Sequence, residues 1–127
     1  MQSDGVVLMK PKVTCKVRIM VGRGVGIGPG KADMLRAIRD TRSINAAGKE
    51  FGMSYRRAWL LVEEMNTLFR GPLVIARRGG SGGGGAEITA LGARVLATYE
   101  KLDQLVTRSP QVRALSGMLR NAKRSRD

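Results

Sequence analysis

The chain has 127 residues, one domain's worth, of which 43% are hydrophobic but only 4% aromatic. A core of Leu, Val, Ile, Met and Ala suits packed helices better than a β-sandwich. The 23 Lys and Arg against 10 Asp and Glu give a net charge of +13, which favours a polyanionic partner, while the absence of histidine and the single cysteine, Cys15, exclude His-dependent catalysis, His–metal sites, an internal disulfide and a thiolate cage.

Residues 1–12 read as a flexible basic N-terminus without a signal-peptide core, and no apolar run approaches the roughly 18 residues of a membrane span. Val13, Cys15, Val17, Ile19 and Val21 then alternate with polar residues, which predicts a strand with one buried face and places the Cys15 thiol in the core. The glycine-rich stretch from Gly22 to Gly30 ends that strand and releases a helix from about Gly30 to Asp40, with Pro29 fit for its first turn and Met34, Leu35 and Ile38 on its apolar side.

Ser43 is a good N-cap for a short helix over 44–51, Gly52 suits a left-handed turn, and Ser54 caps a longer helix from Tyr55 to about Phe69. Ala58, Val62, Met65 and Phe69 form the core stripe of that helix, flanked by Leu61 and Leu68. A short helix, a tight turn and a longer helix with a polar, basic start make a helix-turn-helix. Two short strands follow, Leu73–Arg77 and Ala86–Thr89, around a glycine run at 79–85, and read as a wing. Thr89 caps a last helix over 90–107, whose Leu91, Val95, Tyr99, Leu102 and Val106 form a stripe able to pack on the domain or on a second copy. Residues 108–127 hold six basic and one acidic residue and read as a mobile basic tail, with a weak amphipathic pattern in Val112, Leu115, Met118 and Leu119 that leaves a short docked helix as the alternative.

No motif supports an enzyme. The run Gly80-Ser81-Gly82-Gly83-Gly84-Gly85 satisfies a dinucleotide fingerprint by glycine content, but it leads into a strand rather than a helix. Val25 stands where the first glycine of a phosphate-binding loop over 24–31 belongs. Glu63 and Glu64 point about 100° apart on a helix and do not converge as an acid–base dyad. No metal or cofactor site is expected. Tyr55, Arg56 and Arg57 instead occupy the first turn of the second helix of the pair, where side chains meet base edges and phosphates. Arg77 and Arg78, with Ser81 in the glycine loop, suit a wing tracking the DNA backbone or minor groove, and Ser43 and Ser54 lie at helix starts that attract phosphate.

Three ordered motifs carry a family resemblance. Gly28-Pro29-Gly30-Lys31, Leu35, Ile38 and Ser43-Ile44 with Ala47 resemble the opening of the ModE-type, LysR-related winged-helix domain. Met53-Ser54-Tyr55-Arg56-Arg57-Ala58-Trp59 with Glu64-Met65-Asn66 is similar to its recognition helix, and Gly79 to Ala86 with Leu91-Gly92 to its wing and last helix. The resemblance runs from about Val13 to Val106. It implies a homodimeric winged helix-turn-helix transcription regulator acting on duplex DNA, with terminal helices in the dimer contact; the single cysteine and the missing signal core fit a cytoplasmic protein. Full-length ModE regulators carry C-terminal molybdate-binding domains, whereas about 20 residues follow the last helix here, so the expectation is the stand-alone version without molybdate binding. The expected architecture is mostly α with a small β component: a strand, a three-helix core, a two-stranded wing and a long C-terminal helix, over 13–107. A non-specific nucleoid-type binder, a protein-interaction module partnering another regulator, and a protein of anionic membrane surfaces are the competing readings.

Overall fold

The computed structural model describes residues 12–80 and 83–120. In order, its elements are β1 (Ile19–Val21), β2 (Gly24–Ile27), α1 (Pro29–Thr41), α2 (Ile44–Glu50), α3 (Tyr55–Leu68), β3 (Val74–Gly80), β4 (Gly83–Ile88), α4 (Ala90–Thr107) and α5 (Pro110–Met118). The fold is mostly helical with two antiparallel hairpins, β1–β2 and β3–β4, in a winged helix-turn-helix arrangement. The chain divides into two compact units: Arg18–Lys101 and, among the described residues, 12–17 with 102–120.

Local chemistry sets the helix boundaries of the larger unit. Pro29 occupies the first turn of α1, and Arg42 closes the helix in a left-handed conformation at φ 59°. Ser43 Oγ accepts from Ala46 N at the start of α2 and Ser54 Oγ from Arg57 N at the start of α3. Gly52 takes φ +69° between them, a backbone state that costs glycine little. Met34, Leu35 and Ile38 of α1, Ala58, Val62 and Met65 of α3, and Leu73, Ala86 and Leu96 form the core. Phe69, expected on that stripe, is half-buried just beyond α3.

Three departures from the sequence reading have clear causes. The expected strand over 13–21 is a strand only at Ile19–Val21, and the glycine stretch read as a connection supplies its partner, β2. Gly22 at φ +60° reverses the chain there, and a Cβ on Gly26 would lie 2.9 Å from the Val21 side chain. The buried side chain of this hairpin is accordingly Ile27, while Ile19 and Val21 face outward and Cys15 is half-buried. In the wing, strands run deeper into the glycine run than expected, since Gly80 pairs with Gly83, because ladder hydrogen bonds need no side chain. On α4 the innermost residues are Gly92, Leu96 and Tyr99. Gly92 lies so close to the Leu73 carbonyl that a Cβ there would overlap it, and this turns the face by one residue, leaving Leu91 and Val95 half-buried.

In the smaller unit, the segment read as a basic tail carries α5, which Ser109 caps by accepting from Val112 N. Ser116 is its buried residue and donates to Val112 O. Leu115 and Met118 of the weak amphipathic pattern are exposed.

Candidate nucleic-acid interface

The helix-turn-helix angle is set where α2 meets α3. A Cβ on Gly48 would stand 2.7 Å from the Ala58 Cβ, so the two helices cross at a distance only glycine permits. From that crossing α3 presents Tyr55, Arg56 and Arg57 in its first turn, all exposed. Arg56 and Arg57 form no ion pair among the described residues. They line a shallow groove of about 350 Å³ with Ser54, Leu60 and Glu64. With each residue turning about 100°, Arg56, Leu60 and Glu63 share the outermost face of α3, opposite the buried Ala58, Val62 and Met65.

Asn66 fixes the wing to this helix. Its Oδ1 accepts from Leu73 N at 2.8 Å and Val74 N at 3.1 Å, and its Nδ2 donates to Val74 O at 2.9 Å. A second tie runs from Ala86 N to the Arg42 carbonyl, which a Cβ on Gly85 would approach to 3.0 Å. Thr89 completes the frame: its Oγ1 donates to Pro72 O and accepts from Gly92 N, capping α4. The backbone of β3 and β4 therefore starts from a fixed base beside α3.

Arg77 projects from β3, but its Nε lies 3.0 Å from Glu87 Oε2 across the hairpin, and Arg42 approaches the same carboxylate at 3.8 Å. Two cations share one anion, so the cluster keeps a net positive charge while Arg77 is held in place. Arg78 lies on β3 next to it. Ser81 is outside the described residues. Ser43, half-buried, and Ser54, exposed, both spend an acceptor lone pair on capping, and among the described residues neither hydroxyl donates to an acceptor, which leaves its proton for a phosphate oxygen. Between α2, α3 and the wing opens a cleft of about 270 Å³ lined by Ser43, Asn45, Tyr55, Trp59 and Arg77. The Tyr55 and Trp59 rings meet edge-on at 6.1 Å there, and the Trp59 indole N–H is buried without an acceptor among the described residues.

Lys31, which the sequence places only in a motif and gives no site role, is 7% exposed. Its Nζ donates to Val25 O and pairs with Glu64 Oε2 at 2.7 Å, joining β2 to α3. The available signal was its spacing: 31, 35 and 38 lie on one helix face, which makes Lys31 the first residue of the apolar stripe of α1. On the far side of α1, Arg36 bonds Glu100 of α4 at 2.8 Å. The Glu100 hydrogen bond outweighs burial and raises the guanidinium above its ordinary value, so this strut keeps its charge.

Among the described residues no group of three or more acidic, cysteine or histidine side chains could hold a metal ion, and no helix is long and apolar enough to cross a membrane. No family model matches the chain. It is 41% identical over 80 residues to the molybdenum-pterin-binding protein MopB of Rhodobacter capsulatus, covering 63% of this chain and 30% of that protein. It is 39% identical over 77 residues to the DNA-binding transcriptional dual regulator ModE of Escherichia coli K12, covering 61% and 29%. With the molybdenum transport protein ModE of Herbaspirillum seropedicae it shares 37% identity over 95 residues, covering 68% and 35%. The matched region spans about a third of the length of these relatives.

Proposed function

This chain carries a winged helix-turn-helix domain homologous to the ModE regulators, and on that premise we propose that it binds double-stranded DNA and regulates transcription in the cytoplasm. The observation that carries the reading is the pair Arg56 and Arg57, exposed, without ion pairs among the described residues and rigidly aimed by a capped helix. In this reading Tyr55 and Arg56 meet base edges in the major groove, and Arg57, Ser43 and Ser54 hold phosphates. Arg77, Arg78 and Ser81 keep the wing on the backbone. Selection from a pool of random duplexes tests it: enrichment of one sequence is the expected result. Uniform retention would make the protein a non-specific binder, and no retention at low salt would favour a protein partner.

The same proposal includes a homodimer. Its support is apolar surface in the smaller unit, where Leu105, Leu115 and Met118 are 73%, 63% and 76% exposed. Light scattering should give a dimer that Leu102→Asp dissociates; a stable monomer at micromolar concentration, indifferent to that change, would sink this part. No molybdate site is assigned to these residues, and saturable heat on titrating the chain with molybdate would overturn that.

A further inference from the structure

The β1–β2 hairpin takes no part in the interface of α3 and the β3–β4 wing, yet it is anchored to α3. The Lys31 ammonium of α1 touches both the Val25 carbonyl on β2 and the Glu64 carboxylate on α3, so one ammonium bridges the hairpin to the end of that side chain. Its place around α3 follows from helix geometry. Asn66 faces the β3–β4 wing and Glu64 faces the hairpin, and two residues on an α-helix put these flanks roughly 160° apart. The exposed face with Arg56 and Leu60 lies between them. Two hairpins thus stand on opposite flanks of the helix that would enter the groove.

The hairpin's chemistry is that of a surface for polyanions. No carboxylate occurs between Asp4 and Asp33. Arg18 enters β1 with its stem packed over Gly28, Arg23 sits in the turn, and both are exposed without an ion pair among the described residues. Beside them Met20 and Val21 are 52% and 53% exposed, apolar tops of the kind that rest against sugars. The Glu64 carboxylate, which faces the hairpin, is paired with Lys31. By contrast, Arg36 and Arg39 of α1 and Arg77 of β3 are each tied to an acidic partner.

We propose that the β1–β2 hairpin is a second wing, which places Arg18 and Arg23 on duplex phosphates along the flank of α3 opposite the β3–β4 wing. This rests on the DNA-binding reading above and adds a contact to it. Phosphate neutralisation carries no sequence information, so the hairpin widens the footprint and strengthens binding without choosing bases.

The test uses the full chain and a mixed-sequence duplex, with affinity measured by fluorescence anisotropy from about 50 to 200 mM salt. Relative to wild type, Arg18→Ala/Arg23→Ala should flatten the plot of log affinity against log salt by about two units per bound protomer, roughly 0.9 for each phosphate no longer neutralised. Arg18→Lys/Arg23→Lys should restore the slope, and hydroxyl-radical protection should shrink at one edge of the footprint in the Ala variant only. Binding by wild type with the slope and footprint unchanged in the Ala variant would overturn the second wing and leave the DNA reading standing. A hairpin variant that loses the dimer and keeps the wild-type slope would show the surface to be a contact between copies, which also overturns it. Wild type that binds no duplex would remove both readings.

Discussion

Arg56 and Arg77 carry the same charge in different surroundings, and their substitution should read differently. Arg56 has no acidic partner among the described residues, and in the proposed complex it meets a base edge. Arg56→Ala should therefore cost about 1–3 kcal/mol of discrimination between the preferred duplex and a variant. Arg77 shares Glu87 with Arg42, so a phosphate must compete with that carboxylate. Arg77→Ala should weaken all duplexes alike, flattening the salt slope by up to about one unit, and Glu87→Gln should strengthen all of them. If the wing variants change sequence preference while Arg56→Ala changes only overall affinity, the roles are reversed. Gly48 makes a different demand. Gly48→Ala forces its Cβ against Ala58 and should lower stability by about 1–3 kcal/mol in denaturant melts, the usual cost of overpacking. Pairing it with Ala58→Gly should recover part of the loss; no recovery would place the strain elsewhere.

At the level of elements, the helices were legible because caps and periodicity act locally. Ser43, Ser54 and Thr89 cap in the structure as their spacing predicts, and Met34, Leu35 and Ile38 are buried. Glycine-rich segments were not legible, because their pairing is decided by backbone hydrogen bonds and close approaches that leave no side-chain pattern. Gly26 against Val21 and Gly80 opposite Gly83 are both of this kind. Lys31 was hidden for another reason: its burial depends on Glu64, 33 positions away in the chain. The individual contacts of Tyr55, Arg56, Arg57 and the wing remain proposals, since an interface is defined with its partner. The helix α5 falls on the segment where a mobile tail and a docked short helix were both open, because the apolar residues of its pattern are few and cover little. Its cap and the buried Ser116 favour the docked helix. Deleting residues 109–127 should lower the melting temperature by several degrees, each kcal/mol lost counting for about 4–8 °C in a domain of this size. An unchanged melting temperature with uniformly weaker duplex binding would make the segment purely electrostatic.

For the molecule as a whole, the missing histidine fixes the response to pH. Without histidine, the ordinary values of the ionisable group types leave a gap between the carboxylates and the α-amino group, from about pH 5.5 to 6.5. Duplex affinity at constant ionic strength should be flat across that interval, and a sigmoidal change would point to a strongly perturbed group. Below it, Asp40 is held under the usual carboxylate range by the hydrogen bond from Arg39. The stability this adds is present above the ordinary carboxylate pKa and fades as pH falls through the lower folded one, a small effect at so exposed a site. The cleft between α3 and the wing has an optical consequence. Trp59 is the sole tryptophan and its indole N–H is shielded there, so the native chain should emit at short wavelength without any label. Tyr55 stands close enough to pass its excitation to that ring. Because both rings lie where α2, α3 and the wing converge, a bound duplex should alter this emission, while unfolding should move it to the red. The chain thus carries its own fluorescent gauge at the place where recognition would be felt.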